Sequence, residues 1–91
     1  MENLPKYQDL ISPMLKVMNL AGKPLTNSEI EVRIIQDLQL PPEQVSLIHS
    51  GKRTELQYRL AWARTKAKSL GLITSPAREM WELTSQGAQI S

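Results

Sequence analysis

Residues 52–68 read KRTELQYRLAWARTKAK, and this segment decides the fold class and the function that the sequence favours. It holds six lysine and arginine residues and one acid, Glu55, so its net charge is +5. An apolar stripe at helical spacing runs along it and just beyond it, through Leu56, Leu60, Ala63, Ala67 and Leu70. One side of this helix can therefore enter a core while the other presents cations, hydroxyl groups and aromatic rings. Such a surface favours binding to a polyanion whose base edges side chains can recognise, and duplex DNA is the commonest such partner.

The length and composition of the whole chain limit the folds and functions that are possible. Its 91 residues predict a single small domain over 1–91, and the charge lies in the second half, with a net −2 over residues 1–48 and +4 over 49–91. There is no cysteine, no amino-terminal signal pattern and no apolar run long enough to span a membrane. We therefore expect a cytoplasmic protein without disulfides.

Helix signals precede and frame the basic segment. Apolar residues between Tyr7 and Met18 recur at steps of three and four, and Pro13 makes this either one kinked helix or two short ones. Thr26 and Glu29 form a capping box that starts a second helix, and Pro41 and Pro42 end it. Residues 49–53 read as a loop. Thr54 and Gln57 form another capping box, which starts a helix over 55–70.

Two strands, 72–74 and 79–83, follow the basic helix and are joined by a turn that holds Arg78. Three helices followed by a hairpin, with the third helix basic, is the order of a winged helix-turn-helix. The predicted fold class is therefore mainly α with a small β-hairpin, in which a three-helix core carries a wing. In such folds the third helix enters the major groove and the hairpin touches the flanking backbone.

The outward face of the basic helix predicts the contacts with DNA. Tyr58 and Thr65 can bond to phosphates or base edges, Ala61 allows close approach, and Arg64 can reach guanine or phosphate. Lys68 lies on the same outward face. Cations at the end of a helix are also favoured by its dipole alone, so Lys66 and Lys68 fit a solvated surface equally well. Arg59 follows Glu55 by one turn and fits a surface ion pair.

Lys52 and Arg53 precede a helix start, where the dipole disfavours cations. An anion such as phosphate, docked on the N–H groups from Thr54 to Gln57, would explain them; a solvated loop is the alternative. Trp62 fits a rim residue packed on the first helix or a DNA contact, and Trp81 fits the core. The candidate DNA-binding residues are Lys52, Arg53, Thr54, Gln57, Tyr58, Ala61, Arg64, Thr65, Lys68 and Arg78.

The chain lacks the residues of most catalytic centres. A single histidine, His49, and no cysteine exclude a zinc finger, and the glycines form no phosphate-binding loop. His49 has no acidic residue beside it that would complete a catalytic triad. We expect no metal, no cofactor and no catalysis by this chain alone.

Several strings resemble the amino-terminal domain of Mrr-type restriction proteins. They are Leu4-Pro5-Lys6-Tyr7, the segments 24–30, 51–55 and 58–65, Gly71-Leu72-Ile73, and Trp81-Glu82-Leu83-Thr84 with Gly87. The resemblance implies a winged helix that binds duplex DNA and is joined to a carboxy-terminal nuclease domain, which cuts methylated DNA. The chain departs from the family at Leu56, where an aromatic residue is frequent, and at Glu79, where the wing turn often has glycine.

Two other functions stay open. A winged helix can use the same face to bind another protein or to form a homodimer. It can also act as a stand-alone transcriptional regulator with a defined operator. The cations before the helix start favour DNA over a protein partner, and the sequence does not separate a regulator from a restriction protein.

Overall fold

The computed structural model describes residues 4–90. Residues 1–3, on which the expectation of no signal peptide partly rests, and Ser91 lie outside this range. In chain order its elements are α1 (Tyr7–Ala21), β1 (Leu25–Thr26), α2 (Asn27–Leu38), α3 (Pro42–Val45), β2 (Ile48–Ser50), β3 (Arg53–Thr54), α4 (Glu55–Ser69), β4 (Ile73–Thr74), β5 (Met80–Leu83) and α5 (Ser85–Ile90).

The predicted fold class is confirmed: the domain is mostly helical with small antiparallel sheets, an arrangement consistent with a winged helix-turn-helix. One sheet has the strand order β1-β5-β4, in which Leu25 pairs with Trp81 and Ile73 with Leu83. Residues 75–79, between β4 and β5, form the turn that we call the wing. The second sheet is a hairpin of β2 and β3.

A single apolar core holds α1, α2 and α4 together. Its fully buried large side chains are Leu10, Met14, Leu15, Leu25, Ile30, Ile34, Leu56, Leu60 and Ile73. The helical residues of this set recur at steps of about four, so each helix turns one face inward. The outward faces are mostly polar and charged, with exposed apolar exceptions such as Leu20 and Val32, and α4 carries four of the six cations on these three helices.

Capping fixes where α2 and α4 begin, as the sequence predicts. The Glu29 N–H donates to Thr26 Oγ1 at 3.1 Å, and the Thr26 N–H donates to Glu29 Oε1 at 2.9 Å. The equivalent bonds between Thr54 and Gln57 are both 3.1 Å. Each reciprocal pair satisfies two backbone groups that a helix start leaves without a partner.

The first helix is one continuous element with Pro13 inside it, which settles the choice between one helix and two. Proline removes the N–H that would bond to the carbonyl of Asp9. Buried residues on both sides of Pro13, including Leu10 and Met14, hold the two halves against the core. The helix ends at Gly22, whose φ of 65° is a left-handed conformation that glycine adopts without a steric penalty.

The short helix α3 begins at Pro42 and makes α4 the fourth helix of the described chain. Two sequence predictions need correction. Residues 49–53 are not a loop, because they belong to the β2–β3 hairpin, which turns at Gly51 and Lys52. Leu70 does not continue the buried stripe of α4: it is the residue at which the helix ends, and it is 48% exposed.

Candidate nucleic-acid interface

The outward side of α4 presents an aromatic and polar surface. Arg53, Tyr58, Ala61, Trp62 and Thr65 line one shallow depression on it. Trp62 is 49% exposed, and its ring lies 6.4 Å from that of Tyr58 and 6.3 Å from that of Tyr7 on α1. The rim position predicted for Trp62 is therefore present, and half of the side chain still faces solvent.

Thr65 uses its hydroxyl proton within the helix, because Oγ1 donates to the Ala61 carbonyl at 3.0 Å. The oxygen lone pairs of Thr65 and its methyl group remain at the surface. Ala61 is half-buried between its larger neighbours. The two residues therefore form the low part of the depression, over which a ligand can approach the helix backbone closely.

The β2–β3 hairpin is fastened to the start of α4 through His49. Its imidazole stacks on the Tyr58 ring, and its Nδ1 lies 2.9 Å from Glu55 Oε1. The Glu55 N–H also donates to the Leu47 carbonyl at 2.7 Å, just before the hairpin. The sequence alone did not predict this structural role of His49. Its only signal was the spacing of six residues between His49 and Glu55.

This attachment holds two cations beside the aromatic surface. The Arg53 guanidinium carbon lies 5.7 Å from the centre of the Tyr58 ring, which is within the range of a cation–π contact. Lys52 lies in the exposed hairpin turn. Within residues 4–90 neither side chain forms an ion pair. The hairpin therefore extends the positive surface beyond α4 itself.

Three of the four N–H groups at the predicted phosphate position, from Thr54 to Gln57, already have acceptors within the protein. The N–H groups of Thr54, Glu55 and Gln57 already donate to Gln57 Oε1, the Leu47 carbonyl and Thr54 Oγ1, respectively. An anion docked there would have to displace the capping box. Thr54 and Gln57 therefore serve the fold at this point, and the cations before the helix start need another explanation.

Arg59 turns away from the outward surface. Its Nε donates to Glu55 Oε2 at 2.8 Å, and its Nη1 donates to the carbonyls of Leu4 and Pro5 at 2.9 and 3.2 Å. The Arg59 bond, followed by that of His49, lowers the pKa of Glu55 below its ordinary value. The surface-pair interpretation of Arg59 is confirmed, and the same contacts join α4 to the segment before α1.

Arg64 lies on the other flank of α4, against the ring of Trp81. The distance from its guanidinium carbon to the ring centre is 5.9 Å, and the ammonium of Lys68 lies 6.0 Å from the same ring. The indole N–H of Trp81 donates to Asn27 Oδ1 at 2.7 Å, which fixes the ring. Partial burial, followed by the positive charge of Arg53, lowers the pKa of Arg64. Trp81 is half-buried against the core, and it supports two of the predicted DNA-binding residues.

The wing is short, and hydrogen bonds within it and to α2 hold its backbone in place. The Ser75 hydroxyl lies 2.8 and 2.9 Å from the carbonyls of Ala77 and Met80, and the Met80 N–H donates to Ala77 at 3.0 Å. Glu79 has a φ of 60°, and its carbonyl accepts a 3.2 Å bond from the N–H of Asn27 at the start of α2. Arg78 is exposed beside Glu79, and no contact joins it to α4 in the described chain.

The ten candidate residues thus fall into groups. Arg53, Tyr58, Ala61 and Thr65 share the depression on α4, and Arg64 and Lys68 share the Trp81 ring. Thr54 and Gln57 form the helix cap. Lys52 and Arg78 occupy the tips of the two hairpins, the first in the β2–β3 turn and the second in the wing.

Neither a metal-binding cluster nor a membrane-spanning helix occurs in the part of the chain that the structure describes. Residues 4–90 contain no group of three or more histidine, aspartate or glutamate side chains placed to hold a metal ion. No helix among them is both long enough and apolar enough to cross a bilayer.

Comparison with known proteins identifies the family. The family model of the Mrr N-terminal domain matches residues 7–91, which is nearly the whole chain. No curated protein and no solved structure matches the chain. The matching family is the amino-terminal domain of Mrr-type restriction proteins and not their catalytic nuclease domain. The chain belongs to the Mrr N-terminal domain family.

Proposed function

We propose that this domain binds duplex DNA as the non-catalytic module of a modification-dependent restriction endonuclease. The outward face of α4 enters the major groove, and the turn of the β2–β3 hairpin contacts the phosphate backbone beside it. The observation that carries this proposal is the continuous surface of cations and aromatic rings on α4 and the hairpin. Family membership supports this setting, because the matched family is the N-terminal domain of Mrr-type restriction proteins.

The placement of acids supports a polyanionic partner. Glu55 is engaged by Arg59 and His49, and Glu29 is engaged in the capping box of α2. Lys52 and Arg53 have no such carboxylate partner within residues 4–90. The cations of the hairpin therefore keep their charge available for phosphates, which attract them over several ångströms.

Each remaining group has a role on the proposed surface. Ala61 and the Thr65 methyl allow the helix to approach base edges and to contact the methyl groups that project into the major groove. The Tyr58 hydroxyl can bond to a phosphate or to a base edge. Lys68 continues the cationic flank, and Arg78 brings the wing to the neighbouring backbone.

Salt dependence tests the proposal. If Lys52, Arg53, Arg64, Lys68 and Arg78 neutralise about four to five phosphates, log affinity for a short duplex should fall with log salt at a slope of about −4. Lys52→Ala should reduce the magnitude of that slope by about 1, whereas Lys16→Ala, on α1 and paired with Asp37, should leave it unchanged. Fluorescence anisotropy with methylated and unmethylated duplexes supplies the measurement, and a slope near zero would reject the proposal.

Self-association is the second candidate function, and one observation favours it. Leu20 on α1 and Val32 on α2 are 73% and 53% exposed, and both border surface depressions lined by Arg33 and Gln36. Exposed apolar residues that share neighbours are a common feature of interfaces. Light scattering of the free domain separates the alternatives: a dimer that Leu20→Asp converts to a monomer supports this candidate, and a monomer at high concentration rejects it.

A further inference from the structure

A polar cleft of about 220 Å³ lies between the start of α2 and the flank of α4. Its lining residues are Asn27, Ser28, Glu31, Arg53, Gln57, Leu60 and Arg64. Two arginines therefore reach one cleft from different elements, Arg53 from β3 and Arg64 from the middle of α4. This is a second surface of Arg53, separate from the depression that it shares with Tyr58.

The positive charge of Arg64 is poorly balanced by negative charge in this cleft. Arg64 is half-buried, and no carboxylate lies within ion-pair distance of it in residues 4–90. Burial lowers its pKa first and the charge of Arg53 lowers it further, while the charge of Glu31 acts in the opposite direction without offsetting the two. A partly desolvated cation beside a like charge is unfavourable unless an anion joins it.

Gln57, one of the neutral polar residues of the cleft, is already in use. Gln57 accepts from the Thr54 N–H with Oε1 and donates to Glu31 Oε1 with Nε2 at 3.3 Å. Gln57 therefore holds Glu31 at one end of the cleft and adds little donor capacity of its own. The guanidinium groups of Arg53 and Arg64 supply the donors for an incoming ligand.

Arg64 is also held in place before any ligand arrives. Its guanidinium lies over the face of Trp81, whose N–H is fixed by Asn27, another residue of the cleft. Arg53 lies against Tyr58, whose ring is fixed by His49. Both cations thus rest on aromatic rings that are themselves held in position, which reduces the entropy lost when they bind a ligand.

We propose that Arg53 and Arg64 jointly bind one phosphate oxyanion in this cleft. On DNA the oxyanion is a backbone phosphodiester, so this assignment rests on the proposed function; a free phosphate ion offers the same chemistry. Planar guanidinium groups suit the oxygens of a phosphate and can bind them in pairs. Arg64 is accordingly a phosphate ligand that sets the position of α4 on the duplex, and it does not read a guanine edge.

The first experiment uses inorganic phosphate and needs no DNA. Sodium phosphate is added to the domain at constant ionic strength with chloride as the balance, and the NMR signals of the arginine Nε–H groups are followed. We expect a saturable shift of the Arg64 signal that is lost in Arg53→Ala and retained in Arg78→Ala. A shift that is linear in phosphate, or that is the same in Arg53→Ala, would overturn the shared site.

The second experiment measures duplex affinity for Arg53→Ala, Arg64→Ala and the double variant. Each single change should weaken binding about tenfold, the loss of one charged hydrogen-bonding group. Since both side chains hold one phosphate, the double variant should lose about the same factor and not the product. If wild type binds DNA but the affinity loss of the double variant equals the product of the two single losses, the shared site is overturned and the proposed function still stands.

Two further duplex measurements distinguish a backbone phosphodiester from a free phosphate ion, and a phosphate contact of Arg64 from a base contact. A single methylphosphonate that replaces the bound phosphodiester should weaken wild type about tenfold and leave the double variant unchanged. Arg64→Lys keeps the charge without the planar fork and should recover part of the affinity without changing base preference. Altered base preference in Arg64→Lys would instead identify Arg64 as a base-reading residue and overturn the assignment. Saturable phosphate binding in a domain that binds no DNA would support the cleft while rejecting the proposed function.

Discussion

The imidazole of His49 stacks on the phenol ring of Tyr58, with ring centres 3.7 Å apart and planes inclined by 12°. This contact joins the β2–β3 hairpin to the second turn of α4. It places a ring from a short, otherwise exposed hairpin against the helix that carries the candidate interface. The second strand of the hairpin, β3, runs directly into α4, and this pair together with the bonds of Glu55 holds the segment around β2 against the helix.

The contribution of the His49–Tyr58 stack to the free energy of unfolding should be measurable with a double-mutant cycle. His49→Ala and Tyr58→Ala should each lower the free energy of unfolding by about 1 kcal/mol, the usual contribution of a ring pair. The double variant should lose little more than either single one, because the same contact is removed. Urea denaturation gives the values, and Tyr58→Phe, which keeps the ring, is the matched control. Additive losses would show that the stack contributes no energy of its own.

Glu55 should make stability depend on pH. Arg59 and then His49 lower its pKa from the ordinary 4.5, so the folded state holds the Glu55 proton more weakly than the unfolded state does. The stabilisation is therefore complete above the unfolded pKa and is lost as pH falls through the lower folded pKa. Thermal unfolding of wild type and Glu55→Gln should differ most above pH 4.5 and converge below it. His49→Ala should keep most of this dependence, and curves that stay parallel in acid would contradict the prediction.

Glu79 should be a site of stabilising change. Its φ of 60° lies in the left-handed region, where a side chain costs about 1–2 kcal/mol. Glu79→Gly should raise the free energy of unfolding by about 0.5–1 kcal/mol after the greater flexibility of unfolded glycine is counted. Glu79→Ala removes the same carboxylate but keeps the strain, so it should give no such gain. If both variants are equally stable, the backbone conformation is not the cause.

Gly87 should tolerate no side chain. A Cβ atom there would lie 2.0 Å from the carbonyl oxygen of Leu72 and 2.9 Å from its carbon, both of them backbone atoms. Gly87→Ala should therefore cost about 3 kcal/mol or more, because α5 would have to move off the sheet. Gly22→Ala is the control, since its Cβ would meet nothing within 4 Å and only its φ of +65° is unfavourable. We expect a loss of about 1 kcal/mol at Gly22, and similar losses at both positions would refute the steric explanation.

Local signals predict the helices well because their causes are local. The box of Thr26 with Glu29 and that of Thr54 with Gln57 are both formed, and each marks its helix start correctly. The β2–β3 hairpin escaped prediction because Ile48–Ser50 and Arg53–Thr54 are too short to show alternation. A glycine at the turn was its only signal.

The site is harder to predict because its contacts are distant in sequence. Arg59 bonds to Leu4 and Pro5, and Arg64 rests on Trp81, and neither partner follows from helical spacing. At the start of α4 two predictions compete for the same groups: the Thr54 and Gln57 capping box already uses two of the N–H groups that were assigned to an anion. The ion pair of Arg59 with Glu55 was predictable because it spans one helical turn.

Asn27 carries a structural consequence for the whole domain. Its backbone N–H bonds to Glu79 at the end of the wing, and its side chain bonds to Trp81 in the strand that follows. One residue at the head of α2 therefore bonds to the wing and to the strand after it, and these two bonds tie the wing to α2. Under the proposed function, this tie limits how far the wing can shift relative to α2 when it lies beside the groove of a bound duplex.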